Sequence, residues 1–129
     1  MPTAQKIRYS DVDSQAIVFN ANYARYWDDA ITDWFEELGF GGLEMGGIGV
    51  DVVTARVAID FKATASFGDT VETNVVVERF GNTSMTLALA TTRPSDGALL
   101  VQGETIYVFV DPKNLRPVPV PEEFKTAAF

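Results

Sequence analysis

The chain contains neither cysteine nor histidine among its 129 residues. The first absence removes disulfides, thiolate nucleophiles and thiolate metal sites together, and it fits a reducing compartment without requiring one. The second removes Ser-His-Asp triads, Cys-His dyads and nearly every zinc hydrolase site from a single chain. Any catalysis has to run on carboxylates, hydroxyls, lysine or backbone dipoles. Basic residues are scarce too. Ten Lys and Arg stand against eighteen Asp and Glu, a net charge of -8, which opposes nucleic acid and anionic lipid surfaces. No apolar run approaches the ~20 residues that span a bilayer, and the first thirty residues lack a basic start followed by a long apolar stretch. The expectation is a soluble, cytoplasmic protein with neither nucleic acid nor membrane as partner.

What is present suits a single domain over residues 1–129. The 47% hydrophobic and 12% aromatic content is enough for a core without disulfide or metal staples. Residues 5 to 9 alternate polar and apolar, predicting a short first strand that runs into a turn from Ser10 to Gln15. Tyr23, Tyr26, Trp27, Ala30, Ile31, Trp34, Phe35 and Leu38 then recur at steps of three and four, the period of an amphipathic helix. Asn20 or Asn22 is placed to cap its start, and Gly39 to end it in a left-handed turn. Asp28, Asp29, Asp33, Glu36 and Glu37 fall on the opposite, solvated face.

Beyond a glycine-rich stretch the period changes to two. Val53, Ala55, Val57, Ile59 and Phe61 are expected on one side of a strand. Val71 to Val77, Met85 to Leu89 and Leu99 to Val110 give three more strands, separated by Gly68-Asp69, Gly81-Asn82 and Pro94 to Gly97 turns and expected to form an antiparallel meander. Prolines at 117, 119 and 121 predict an extended tail outside the sheet, with a final turn at Glu122 to Lys125. One long aromatic helix with one short and four long strands implies an α+β arrangement, an antiparallel sheet of about five strands curved around the helix. Its free edge makes a homodimer the simplest solution.

The segment from Arg8 to Tyr23, RYSDVDSQAIVFNANY, resembles the signature of the 4-hydroxybenzoyl-CoA thioesterase family of hot-dog proteins. That pattern is an aromatic residue, a D-x-D turn, two further residues and a position usually glycine, then an Ile/His-Val-aromatic run and an N-Y pair opening the long helix. Here Ala16 departs at the glycine position. Weaker likeness continues through Ile59-Asp60-Phe61, Gly68-Asp69, Gly81 to Ser84, Gly103 to Asp111 and Pro121-Glu122-Glu123. The resemblance implies a hot-dog fold, an acyl-CoA substrate, no cofactor, and a homodimer assembling further into a homotetramer. It also implies that Asp13 is the catalytic carboxylate and that the backbone N–H of Asn20 polarises the carbonyl. Phe19, Asn22, Tyr23 and Arg79 are the candidate substrate-binding residues. Arg79 is the one cation where a relative carries a basic cluster. Arg56, Lys62 and Arg93 are further candidates for the CoA phosphates.

The chemistry is self-consistent. An ordinary Asp has a pKa of about 3.9, so Asp13 near neutrality is an anion able to attack a thioester or to activate water. A thiol pKa near the ~8.5 of cysteine lets CoA leave without a strong general acid, whereas amides and ordinary esters need a proton donor that this chain lacks. Free N–H groups in the first helical turn supply the dipoles for a developing oxyanion. Asp11 is expected in a structural role. The alternative expectation is a non-catalytic acyl-thioester-binding or scaffold protein of the same fold.

Overall fold

The helical stripe forms as expected. In α1 (Asn22–Glu37), Tyr23, Tyr26, Trp27, Ala30 and Ile31 are all buried. The computed structural model describes residues 2–128, so the two ends of the expected domain, Met1 and Phe129, lie outside the described residues. At ~25 cal/mol per Å² and ~150–250 Å² per aromatic side chain, each buried ring contributes about 4–6 kcal/mol before entropic costs. Gly39 ends the helix at φ 89°, with its N–H on the Glu36 oxygen at 3.0 Å and the Phe40 N–H on the Phe35 oxygen at 2.9 Å. These two bonds satisfy carbonyls that the helix leaves open.

The sheet is built from β1 (Thr3–Lys6), β2 (Asp51–Phe61), β3 (Thr70–Phe80), β4 (Ser84–Arg93) and β5 (Ala98–Val110), in the order β1-β3-β4-β5-β2. Every neighbouring pair is antiparallel, and β3-β4-β5 is the expected meander. Register shifts at Thr54/Arg56, Val77/Arg79 and Thr91/Thr92 mark irregularities that bend strands and strengthen their twist. The helix lies across one face of this sheet in the expected hot-dog arrangement. Trp27 anchors it there, its Nε1–H donating to Thr91 Oγ1 at 2.9 Å, and Thr91 Oγ1 lies 2.7 Å from Thr73 Oγ1. Gly103 gives the indole its seat. A Cβ at that position would sit 3.2 Å from the Trp27 ring and 1.9 Å from the Ala58 carbonyl oxygen, so β2 and the indole both approach where no side chain fits.

Four expectations change. The first strand lies earlier, at Thr3–Lys6, and Tyr9–Asp11 forms a turn of 3-10 helix. The Asp11 carboxylate accepts the Arg8 N–H at 2.9 Å and so draws the backbone out of the extended form. In β2 the shift at Ala55 breaks the period of two, so Thr54 and Val57 both face α1 with Thr105 and Tyr107. Val53, paired with Val108, is left exposed. The tail is not free of the sheet, because Val118 N–H bonds to Phe109 O at 2.8 Å and Val120 N–H to Asn82 O at 3.0 Å. The valines donate while the alternating prolines, which have no N–H, take the other positions. The expected final turn grows into α3 (Glu122–Ala128), whose Phe124 is fully buried against the rings of Trp34, Phe35, Phe40, Phe80 and Phe109.

The fourth change concerns the helix start. Ala21, in helical geometry and with no side-chain hydrogen bond, occupies the cap position, and neither asparagine caps it. The glycine-rich segment between α1 and β2 holds one irregular turn, α2 (Glu44–Gly47), which buries Met45. Among the described residues, no helix is long and apolar enough to cross a membrane.

Candidate active site

Residues 11 to 19 fold back on themselves as a short hairpin between β1 and α1. Val12 and Val18 pair across it, and Asp13 N–H donates to Ile17 O at 2.9 Å. Its tip is closed by Ala16 N–H on Asp13 O at 2.9 Å, and Ala16 takes φ 63°. That is the left-handed region where a side chain meets the backbone and glycine does not, which accounts physically for glycine in the pattern that Ala16 departs from.

Asp11 is the hub of the hairpin's base. Its buried carboxylate accepts the Arg8 N–H and pairs with the Arg25 guanidinium on the first turns of α1. Its main-chain oxygen accepts from Phe19 N–H at 3.0 Å and from Asn22 Nδ2 at 2.8 Å. Asp11 and Asn22 therefore lock the hairpin to the helix, in line with the structural role expected for Asp11. Arg25 also lies 5.1 Å from the centre of the Tyr26 ring. Burial, reinforced by the Asp11 charge, pushes the Tyr26 phenol well above its ordinary range.

Asp13 is bonded differently. Its Oδ1 accepts Gln15 N–H at 2.8 Å, an Asx turn that orients the carboxylate. Its Oδ2 meets no protein donor among the described residues, and the side chain is partly exposed. Four residues past Val18, α1 begins with no side-chain cap and no acidic residue in its first turn. The Asn20 and Ala21 N–H groups meet no acceptor among the described residues, leaving the positive end of the helix dipole uncompensated.

Phe19 is half exposed, whereas Tyr23 is buried with its ring edge-on to Tyr26 and to Phe61 of β2. Among the described residues the Tyr23 hydroxyl meets no partner at good hydrogen-bond geometry, and burial raises its pKa against a smaller opposing contribution from the Ala65 backbone. Asp13, Phe19, Asn20, Asn22 and Tyr23 thus gather at one end of the helix, while Arg79 does not join them. It lies nine residues along β3 from Thr70, roughly 30 Å at ~3.3 Å per residue, beside Glu78 at 3.6 Å. Arg56 is paired with Glu104, and Arg93 with Asp69 and Asp96. Lys62 is exposed, with no ion pair among the described residues.

One feature escapes a reading of the sequence. Asp28, on the face expected to be solvated, lines a cavity of about 30 Å³ together with Thr54, Thr105 and Tyr107. Burial, with the Asp28 charge second, pushes the Tyr107 phenol up to about 12. The bulge at Ala55 turns Thr54 inward here, and nothing in composition marks it. A cavity of about 210 Å³ lies further along α1 between Thr32, Phe35, Met45 and Val52. A depression of about 360 Å³ lies on the sheet between Asp60, Asn74, Val76 and Gln102. Asp13 lines none of the three. Among the described residues, no group of three or more acidic side chains is arranged to hold a metal ion.

The chain is similar to the 4-hydroxybenzoyl-CoA thioesterase of Pseudomonas sp. (strain CBS-3), 26% identical over 130 residues, covering 93% of this chain and 91% of that protein. It is also similar to the acyl-CoA thioester hydrolase YbgC of Escherichia coli, 23% identical over 124 residues, covering 93% and 92%. Its fold matches the crystal structure of an aspartate-to-asparagine mutant of 4-hydroxybenzoyl-CoA thioesterase complexed with 4-hydroxybenzoyl-CoA. That match has a TM-score of 0.90 at 22% identity and covers 100% of this chain and 98% of that one. A sequence model of the thioesterase-like superfamily matches residues 7–128. With the hot-dog fold in place and that model spanning nearly its whole length, the chain belongs to the thioesterase-like superfamily.

Proposed function

We propose that the chain hydrolyses a small acyl-CoA, aromatic or short-chain, to the free acid and CoA. The observation that carries this reading is the half-engaged Asp13 carboxylate, with Oδ1 tied to Gln15 and Oδ2 unpartnered, at the uncapped start of α1. In one route Oδ2 bonds to the thioester carbon, the C–S bond breaks, and water then cleaves the resulting anhydride. In the other, Oδ2 takes a proton from a water that attacks the same carbon. In both routes the thiolate departs unaided, and the Asn20 N–H stabilises the oxyanion. The similarity to proteins named as acyl-CoA thioesterases supports the substrate class.

A site on one face of a hairpin needs a second wall. Among the described residues the outer edge of β2 pairs with no other strand, and Val53, Val57 and Phe61 on it are exposed. Strand addition by a second copy satisfies that edge and covers the side of α1 next to it. We therefore take the working form to be a homodimer, assembling further into a homotetramer. Of the four candidate cations, Lys62 is the one with no ion pair among the described residues and is the proposed contact for the CoA phosphates, while Arg79, beside Glu78, reaches a site only through the partner.

A panel of aromatic, short and branched acyl-CoAs, followed by thiol release and by sedimentation, tests this reading. Release from at least one of them by a protein that sediments as a dimer or tetramer is expected. Tight binding without thiol release would favour the scaffold reading instead, and a monomer with full activity would remove the second wall.

A further inference from the structure

We propose that Arg93, about eighty residues along the chain from Asp13, is a positioning residue that holds the catalytic hairpin through the loop of residues 62–69. The proposal rests on the assignment of Asp13 above. Four guanidinium hydrogen bonds are in use. Nε and Nη2 grip both oxygens of Asp96 at 3.1 and 2.8 Å, while Nη1 reaches the Thr64 main-chain oxygen at 2.9 Å and Asp69 Oδ2 at 3.3 Å. One cation among two carboxylates leaves the cluster net negative, so it is a poor phosphate site. Its donors instead fasten the β4–β5 turn to the 62–69 loop.

That loop is the support on which the hairpin rests. Asp69 Oδ2, held by Arg93, also accepts the Ser66 N–H at 2.9 Å, and Ser66 pairs with Ile17. Ala65, fully buried, accepts the Val18 N–H at 2.9 Å. The Ile17 oxygen in turn accepts the Asp13 N–H. A path of hydrogen bonds joined by short stretches of backbone therefore runs from Arg93 Nη1 through Asp69 to Ser66, along the chain to Ala65, across to Val18 and from Ile17 to the backbone of Asp13. The path needs the geometry of arginine, because a lysine ammonium cannot grip Asp96 in a fork and reach Thr64 and Asp69 at once. A small displacement of a reacting group costs rate out of proportion to its cost in stability.

The test is amide hydrogen exchange and steady-state kinetics on Arg93→Met, Arg93→Lys and Asp96→Asn in the full chain. Arg93→Met is expected to speed exchange at Asp13 and Val18 about fivefold or more while Leu87 and Val101 in the sheet stay unchanged. It is also expected to lower kcat about tenfold with KM within about twofold. Arg93→Lys should fall between Met and wild type, and Asp96→Asn, which leaves the Nη1 bonds in place, should remain near wild type. Unchanged exchange at Asp13 and Val18, or exchange faster throughout the sheet, would overturn the positioning role, as would faster exchange with kcat intact. A wild-type chain inert towards every acyl-CoA would refute the functional reading and the kinetic half of the proposal, and the exchange data would still decide the mechanical link.

Discussion

Asn22 donates from its side-chain amide to the main-chain oxygen of Asp11 at 2.8 Å, joining the first residue of α1 to a residue eleven positions earlier. The asparagine that capping rules assign to the helix itself is turned outward to the hairpin. This leaves the helix dipole without a side-chain cap beside Asp13.

Replacing Asn22 by Ala therefore removes a brace and not a cap. The expected loss of stability is about 0.5–1.5 kcal/mol by chemical denaturation, because the Asp11 oxygen keeps its bond from Phe19. Turnover should fall several-fold with KM nearly unchanged, since the hairpin loses its register against the helix. A loss confined to KM would assign Asn22 to substrate binding instead.

Ala16 at φ 63° carries strain that glycine would relieve. A left-handed alanine costs about 1–2 kcal/mol, and the greater freedom of glycine in the unfolded chain returns roughly half of that. Ala16→Gly should stabilise the protein by about 0.5–1 kcal/mol, read as a rise of a few degrees in Tm. A lower Tm would mean that the methyl group makes a contact worth more than the strain.

Three buried tyrosines set an alkaline limit. Burial raises Tyr23, Tyr26 and Tyr107, the last to about 12, from an ordinary value of 10.0. The fold binds these phenolic protons more tightly than the unfolded chain does. Their contribution is thus complete below pH 10 and is lost as pH rises through the folded values. Stability should be level with respect to these groups up to about pH 10 and fall steeply towards 12. The tyrosinate absorbance of the buried three should appear together with unfolding, and early ionisation of all of them in the intact fold would contradict their burial.

Much of this was legible in the residues themselves. The Tyr23-to-Ile31 stripe works because a helix repeats its environment every three to four positions. Met85, Leu87 and Leu89 work because β4 is regular there and all three are buried. The D-x-D turn was visible because Asp, Ser and Gln compete for backbone groups. The rest depends on events that leave no periodic mark. One extra residue at Ala55 turns Thr54 inward, leaves Val53 out and sets Thr54 beside Tyr107, with Asp28 on the facing helix. The choice of Asn22 between capping and bracing is decided by an oxygen eleven residues away. A proline-rich tail reads as free of the sheet, but its valines still carry donors that Asn82 and Phe109 accept. In the sequence Arg93 is a candidate for the CoA phosphates, whereas in the fold two aspartates and a main-chain carbonyl engage it.

In the proposed function the unpartnered oxygen of Asp13 performs the chemistry. Asp13→Asn retains an oxygen to accept the Gln15 N–H, so hairpin and melting temperature should be preserved while the anion is lost. Measured by single-turnover thiol release with an acyl-CoA the wild-type protein cleaves, the rate should drop by about 10³-fold or more with binding within a few-fold. Thiol release within tenfold of wild type by a folded Asp13→Asn protein would contradict the account.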